Sequence, residues 1–212
     1  MAFSFDLFGT LVAADRPAEP WDAVAEALAA RSVRVPDDWE DAYRSAHRDY
    51  DRGREAPLDE HVRLALASRG VEISEETAGD AVLEAFDSPV TVRDGAIEAL
   101  DAAAAAGPAG ICSNCNVPGL VERTLERADI EAASGRTFDA VVTSVGCGWR
   151  KPHPSIFEAT ADALGVPLSA LVHIGDDART DGGAGRAGAQ SVLLDERSLP
   201  AIAANLREGE RC

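Results

Sequence analysis

Four stretches of the chain end in residues that could do chemistry together. Phe3-Ser4-Phe5-Asp6 closes an apolar run on a carboxylate, and Gly9 and Thr10 follow it. Ser113-Asn114, Lys151-Pro152 and Gly175-Asp176-Asp177 stand in similar places, with Asp181 five residues after Asp176. A short apolar run bounded by turn residues fits a buried strand better than a helix. Open α/β sheets bind ligands at the carboxyl ends of their strands. On parallel strands a nucleophile (Asp6), a hydroxyl (Ser113), a cation (Lys151) and an acidic pair would therefore converge on one crevice. Asp6 alone would serve equally well to end a strand or cap a turn; its company gives it weight.

The elements that must deliver these groups can be read from the same pattern. From Thr91 onward, helices at 94–106, 118–128, 154–164, 181–187 and 199–207 alternate with strands at 109–112, 138–143, 170–175 and 191–194. Such alternation implies right-handed βαβ units and a parallel sheet. Residues 15–88 read instead as four helices, opened in turn by Pro20, Pro36, Pro57 and Ser74, with Gly70 as a stop. The expected architecture is a doubly wound, Rossmann-like α/β core of residues 1–14 and 89–212, with a helical-bundle cap at 15–88 inserted after the first strand.

Composition bounds the rest. With 212 residues, 46% of them hydrophobic, the chain can bury a sizeable core. It has no run of 18 apolar residues, so no membrane span is expected. Its first residues enter a strand without a basic region or cleavage site, so no signal peptide is visible. Cys112, Cys115, Cys147 and Cys212, without a leader, suggest a reduced, cytoplasmic protein. The net charge of −17 makes nucleic acid and anionic membranes poor partners. So acidic a surface also fits life in high salt. Among the 20 basic residues the lone lysine is Lys151, which suggests a position that needs a compact ammonium rather than a planar fork.

Taken in order, these residues resemble the motifs of the haloacid dehalogenase superfamily of aspartate-nucleophile hydrolases. Asp6-x-Phe8-Gly9-Thr10 is similar to its first motif, Ser113 to the second, Lys151 to the third and Asp176-x4-Asp181 to the fourth. The helical insertion resembles the family's alpha-helical cap. The resemblance implies that Asp6 attacks the substrate and forms a covalent intermediate. It implies a magnesium ion held by Asp6, Asp176 and the Phe8 carbonyl, neutralising the gathered negative charge. Ser113 would donate to a substrate oxygen, with Gly9, Thr10 and Asn114 around it, while Lys151 offsets developing charge. Asp177 and Asp181 would support, as ion ligands through water or as orienters of Lys151; as a plain alternative they decorate a helix N-terminus.

One departure matters. Superfamily phosphatases usually carry a second aspartate two residues after the nucleophile, and here that position is Phe8, which cannot transfer a proton. Losing a general acid typically costs about 10² to 10⁴ in rate. An aromatic residue there, with Ser113-Asn114 and Arg150-Lys151-Pro152, resembles the metal-independent 2-haloacid dehalogenases, whose leaving group is halide. Asp176-Asp177 points the other way: without an ion, Asp6 and Asp176 about 4 Å apart would repel by roughly 4 kcal/mol at an effective dielectric near 20. The leading expectation is a magnesium-dependent hydrolase of a small phosphorylated metabolite. A dehalogenase and a non-catalytic binding module are the alternatives. Schiff-base cleavage of phosphonates by a cap lysine is excluded, because residues 15–88 contain no lysine.

Weaker signals read as structure. Gly183–Gly188 matches a dinucleotide fingerprint but does not directly follow a strand, and Asp195 comes too soon after it. Cys112-x-x-Cys115 lacks a second pair and reads as small buried thiols. Trp39 and Tyr43 are expected in the cap core, Arg44 and His47 in solvent unless one of them reaches substrate, and His153 and His173 in structural places. Oligomeric state and substrate identity are not encoded in any readable motif.

Overall fold

Phe3 and Phe5 point to one side of the first strand and Ala2 and Ser4 to the other, and all four are buried. A strand apolar on both faces belongs in the middle of a parallel sheet covered on both sides. The computed structural model, which describes residues 1–135 and 137–208, places it there; Cys212 lies outside the described residues. In chain order the elements begin with β1 (Ala2–Phe5), β2 (Val12–Ala14), α1 (Pro20–Ala30), α2 (Trp39–Arg44), α3 (Leu58–Ala67), α4 (Glu75–Phe86) and β3 (Val90–Val92). Next come α5 (Ala96–Ala106), β4 (Ala109–Ser113), α6 (Leu120–Ala128), α7 (Ile130–Ser134), β5 (Ala140–Thr143) and α8 (Ser144–Cys147). The chain closes with α9 (Pro154–Ala163), β6 (Leu171–Gly175), α10 (Gly183–Ala187), β7 (Gln190–Leu193) and α11 (Leu199–Arg207).

The sheet runs β5-β4-β1-β6-β7, all parallel. The chain winds outward from β1 to β4 and β5, then returns to lay β6 and β7 on the other side. The reversal falls between β1 and β6, which is where ligands bind in this class of sheet. Register pairs Phe5 with Ile111 on one side and with Ile174 on the other. Asp6 N–H continues the ladder by donating to the Ile174 carbonyl at 2.8 Å.

Two apolar layers sandwich the sheet. On one face Phe3, Phe5, Ile111, Val172 and Ile174 meet α5 and α11. On the other, Ala2, Cys112 and Leu171 meet Ile156 and Phe157 of α9 and Ala184 of α10. Each large side chain so buried is worth about 1.5–3 kcal/mol over leaving it in water.

Helices α1 to α4 pack on one another through Val24, Leu28, Leu58, Val62, Leu66 and Val82, with α4 lying between α1 and α3. Trp39 is buried and Tyr43 packs beside it, as their spacing predicts. The helical reading of 15–88 needs two amendments. α2 is short and stops at Arg44, because Ser45 turns extended (ψ 142°) and its hydroxyl bonds back to the Asp41 carbonyl. The passages into and out of the insert are strands: Val12–Ala14 and Val90–Val92 pair antiparallel as a two-stranded ribbon. At three residues each, they are too short to carry a readable periodicity.

No helix of the described residues is long and apolar enough to cross a membrane.

Candidate active site

The tips of β1, β4 and β6, with the loop after α8, deliver the chemistry-bearing side chains to the switch point. Asp6 lies directly past β1, and its Oδ1 accepts from the Leu7 N–H at 2.8 Å and the Lys151 ammonium at 3.1 Å. Lys151 is buried, and its ammonium also donates to Asp181 Oδ1 at 2.6 Å. Burial opposes its charge, but the carboxylates of Asp6 and Asp181 outweigh it and hold the ammonium charged well above the usual lysine range.

Asp181 is the pivot behind this cation. Its Oδ1 also receives His173 Nε2 at 3.0 Å, and its Oδ2 accepts from the Asp177 N–H at 3.0 Å. The carboxylate therefore stays ionised: burial would raise its pKa, but the His173 hydrogen bond and the Lys151 charge carry it well below the ordinary aspartate value. Burial pushes the His173 imidazole down, toward its neutral form. With Asp181 accepting at Nε2, the other ring nitrogen accepts from the Ser4 hydroxyl at 2.9 Å. A buried Ser–His–Asp–Lys chain thus aims a single ammonium at Asp6. Gly175 makes the approach possible, since a Cβ there would lie 2.2 Å from Asp181 Cγ.

Asp176, at the tip of β6, faces the cavity beside Asp6. Thr10 donates its hydroxyl to Asp176 Oδ1 at 3.1 Å, and Gly9 runs against the same carboxylate at φ +88°. Thr10 and Gly9 stand behind Asp176 and shape it from the rear. Partial burial, and then the Asp6 charge, raise the Asp176 pKa. Carboxylate oxygens of Asp6, Asp176 and Asp181 lie within 4.8 Å of one another. Asp181 is committed to Lys151 and His173, which leaves Asp6 and Asp176 as the carboxylates of the three that fit a divalent cation. Hard oxygen donors of this kind suit magnesium.

Ser113, at the tip of β4, is fully buried, and its Oγ has no hydrogen-bond partner among the described residues. Orphaned buried hydroxyls are uncommon and call for a ligand or a water; a substrate oxygen would supply the missing partner. Asn114 clamps the Lys151 backbone instead: its Nδ2 donates to the Lys151 carbonyl at 3.0 Å and its Oδ1 accepts from the Lys151 N–H at 2.7 Å. Asp177 turns outward to Arg179, 3.2 Å away.

A cavity of about 480 Å³ opens over these groups, lined by Asp6, Phe8, Asn114, Lys151 and Asp176 from the sheet side. From the insert and its connections come Arg16, Glu55, Phe86 and Ser88. Arg44 stacks on Trp21 at 4.1 Å and His47 bonds the Ala42 carbonyl, so neither lines the cavity. His153 caps α9 and stacks on Trp149 at 4.0 Å. Cys112 and Cys115 are buried free thiols, pushed up to about 11 chiefly by burial. Sequence reading missed Glu55 and Arg16, which sit in loops without any motif.

A family model described as haloacid dehalogenase-like hydrolase matches residues 1–188. The chain is 34% identical over 119 residues to haloacid dehalogenase-like hydrolase domain-containing protein 3 of Xenopus laevis, a match covering 54% of this chain and 45% of that protein. It therefore spans a little under half the length of that curated relative. Among solved structures, an L-2-haloacid dehalogenase from Xanthobacter autotrophicus superposes with TM-score 0.54 and 23% identity, covering 98% of this chain and 82% of that one. A HAD phosphatase from Thermococcus onnurineus superposes with TM-score 0.54 and 19% identity, covering 100% and 99%. At such identities the superpositions establish a shared fold, and they reach both a dehalogenase and a phosphatase.

Proposed function

The chain belongs to the haloacid dehalogenase-like hydrolases, and from that premise we propose that it hydrolyses a small phosphorylated metabolite with magnesium, through an aspartyl-phosphate at Asp6. The observation that carries the choice is Asp176. A second carboxylate is built against the nucleophile by Thr10 and Gly9, beside a lysine already committed to other partners. That arrangement suits an ion and repels a 2-haloacid, whose own carboxylate would enter an already negative site. Magnesium, when bound, would neutralise the carboxylates and polarise the phosphoryl oxygens.

The remaining work falls to the chain's own side chains. An Asp6 carboxylate oxygen attacks phosphorus, and the bond from phosphorus to the leaving oxygen breaks with its electron pair on that oxygen. Ser113 donates to a phosphoryl oxygen, and Lys151 balances the charge that gathers there. Water then attacks phosphorus, the bond from phosphorus to the Asp6 oxygen breaks with its electron pair on Asp6, and the water's oxygen and protons leave as part of inorganic phosphate. Phe8 lines the cavity, and its side chain has no proton to give a leaving group. Leaving groups that depart without a proton are therefore preferred.

Phosphate release from a panel of acyl and alkyl phosphates, with and without magnesium, tests both statements in protein kept folded in concentrated KCl. Magnesium-dependent turnover is expected, with acyl phosphates ahead of alkyl phosphates by about 10² or more. Equal rates on the two classes would remove the leaving-group argument. No magnesium-dependent release from any substrate would remove the phosphatase reading, and chelator-insensitive halide release from 2-haloacids would replace it.

A further inference from the structure

Glu55 is the one carboxylate that the helical insert buries in the wall of the cavity. It stands in the loop between α2 and α3, 7% exposed, and it lines the same space as Asp6 and Asp176. Its charge is met only by neutral donors: the Ser144 hydroxyl reaches Oε2 at 2.5 Å, and the Ala56 N–H reaches Oε1 at 3.1 Å. Among the described residues no lysine, arginine or histidine comes within ion-pair distance of it. A buried carboxylate without a cation is costly, and removing water from it costs more as a ligand fills the cavity.

The loop that carries it is fixed. Gly53 accepts from the Arg150 N–H at 3.0 Å, the Glu55 N–H donates to the Gly148 carbonyl at 3.1 Å, and the Leu58 N–H donates to the Asn116 carbonyl at 2.9 Å. Arg54 lies over the Trp149 ring at 4.3 Å, and that ring stacks on His153. These contacts fix the loop against the wall of the cavity, with little ordering left to do on binding.

We propose that Glu55 selects substrates whose leaving group carries a cationic amine, held against its carboxylate while the phosphoryl group faces Asp6. This rests on the phosphohydrolase reading of the same cavity. A neutral leaving group would leave the Glu55 charge dehydrated and unpaired, and an anionic one would be repelled. An ammonium satisfies the carboxylate and offsets its charge.

Binding and turnover separate the two claims. Calorimetry with magnesium compares 2-aminoethylphosphonate with propylphosphonate, which replaces the ammonium by a methyl group. Phosphate release compares phosphoethanolamine with propyl phosphate. The amine is expected to be favoured by about tenfold or more in both, and Glu55→Gln to bring each ratio to within about twofold. Ser144→Ala, which removes a hydrogen bond and keeps the charge, is expected to retain the ratio, and it serves if the glutamine variant does not fold. Equal binding of the two phosphonates by the native protein would overturn the proposal. So would a preference that survives in Glu55→Gln or vanishes in Ser144→Ala. A loss of kcat on both esters in Glu55→Gln with KM unmoved would overturn it too, making Glu55 a proton donor. Amine preference in binding without hydrolysis of either ester would strike the hydrolase reading and leave the amine site standing.

Discussion

Gly9 shows how closely the turn after Asp6 is drawn. At φ +88° it occupies the left-handed region, and a Cβ would lie 2.4 Å from Asp176 Oδ2. Gly9→Ala therefore meets two penalties, backbone strain of about 1–3 kcal/mol and displacement of the carboxylate proposed to hold magnesium. The expected outcome is a lower urea midpoint together with a higher half-saturating magnesium concentration. A variant that lost stability but kept its magnesium response would show that Asp176 is not a ligand. Lys151 illustrates what single residues disclose in sequence. A chain with 19 arginines keeps one lysine, and the structure gives the reason: the head group is fully enclosed between Asp6 and Asp181, 3.1 and 2.6 Å away, where a guanidinium fork would not fit. Ser113 and Asp181 were visible in the same way, through their place after a strand. The pairing of Asn114 with the Lys151 backbone was not, because nothing local to Asn114 points across 37 residues.

Among the elements, α4 connects local sequence to the cavity most directly. Ser74 caps it by accepting from the Thr77 N–H at 3.0 Å, and its far end presents Phe86 and then Ser88 to the site. Ser88 in turn donates to the Asp15 carbonyl at 2.7 Å, tying the exit of the insert to its entrance. Ser74→Ala is expected to cost about 1 kcal/mol of stability, read by urea denaturation, with kcat/KM unmoved because the cap is exposed and remote from the cavity. A change in activity larger than twofold would mean that fraying of α4 reaches Phe86. The βαβ alternation and the longer helices of the insert, α1, α3 and α4, were legible because each repeats an apolar period within one element. The β2–β3 ribbon and the loop bearing Glu55 were not. Their order comes from partners far along the chain: Val12 pairs with Val92, and Gly53 and Glu55 pair with Arg150 and Gly148. No local pattern encodes such contacts, so the part of the cavity wall that the insert supplies was invisible in the sequence, while the groups at the strand tips were plain.

At the scale of the whole molecule, charge is the dominant unbalanced quantity. Against 37 acidic residues stand 20 basic ones, a net of −17, and self-repulsion of that size opposes the folded state. Salt acts on it with two opposite signs. Screening weakens surface pairs such as Arg31–Glu84, Arg69–Asp38 and Asp87 with Arg123 and Arg127, but exposed pairs are each worth only about 0–1 kcal/mol. Screening also relieves the excess negative charge, and the Debye length falls from about 10 Å at 0.1 M to about 3 Å at 1 M. The buried Lys151–Asp181–His173 group is shielded from solvent and is little affected by either. Relief should therefore win, and the thermal midpoint should climb with KCl by about 2–4 °C for every 1 kcal/mol recovered. The form of the curve identifies the cause. Screening acts mostly below about 0.5 M, where the Debye length is changing fastest, whereas exclusion of salt from the protein surface strengthens burial steadily at higher concentrations. A steep rise that levels off is the signature of charge relief; a flat or falling midpoint over the first half-molar would mean that the acidic surface is not what limits this fold.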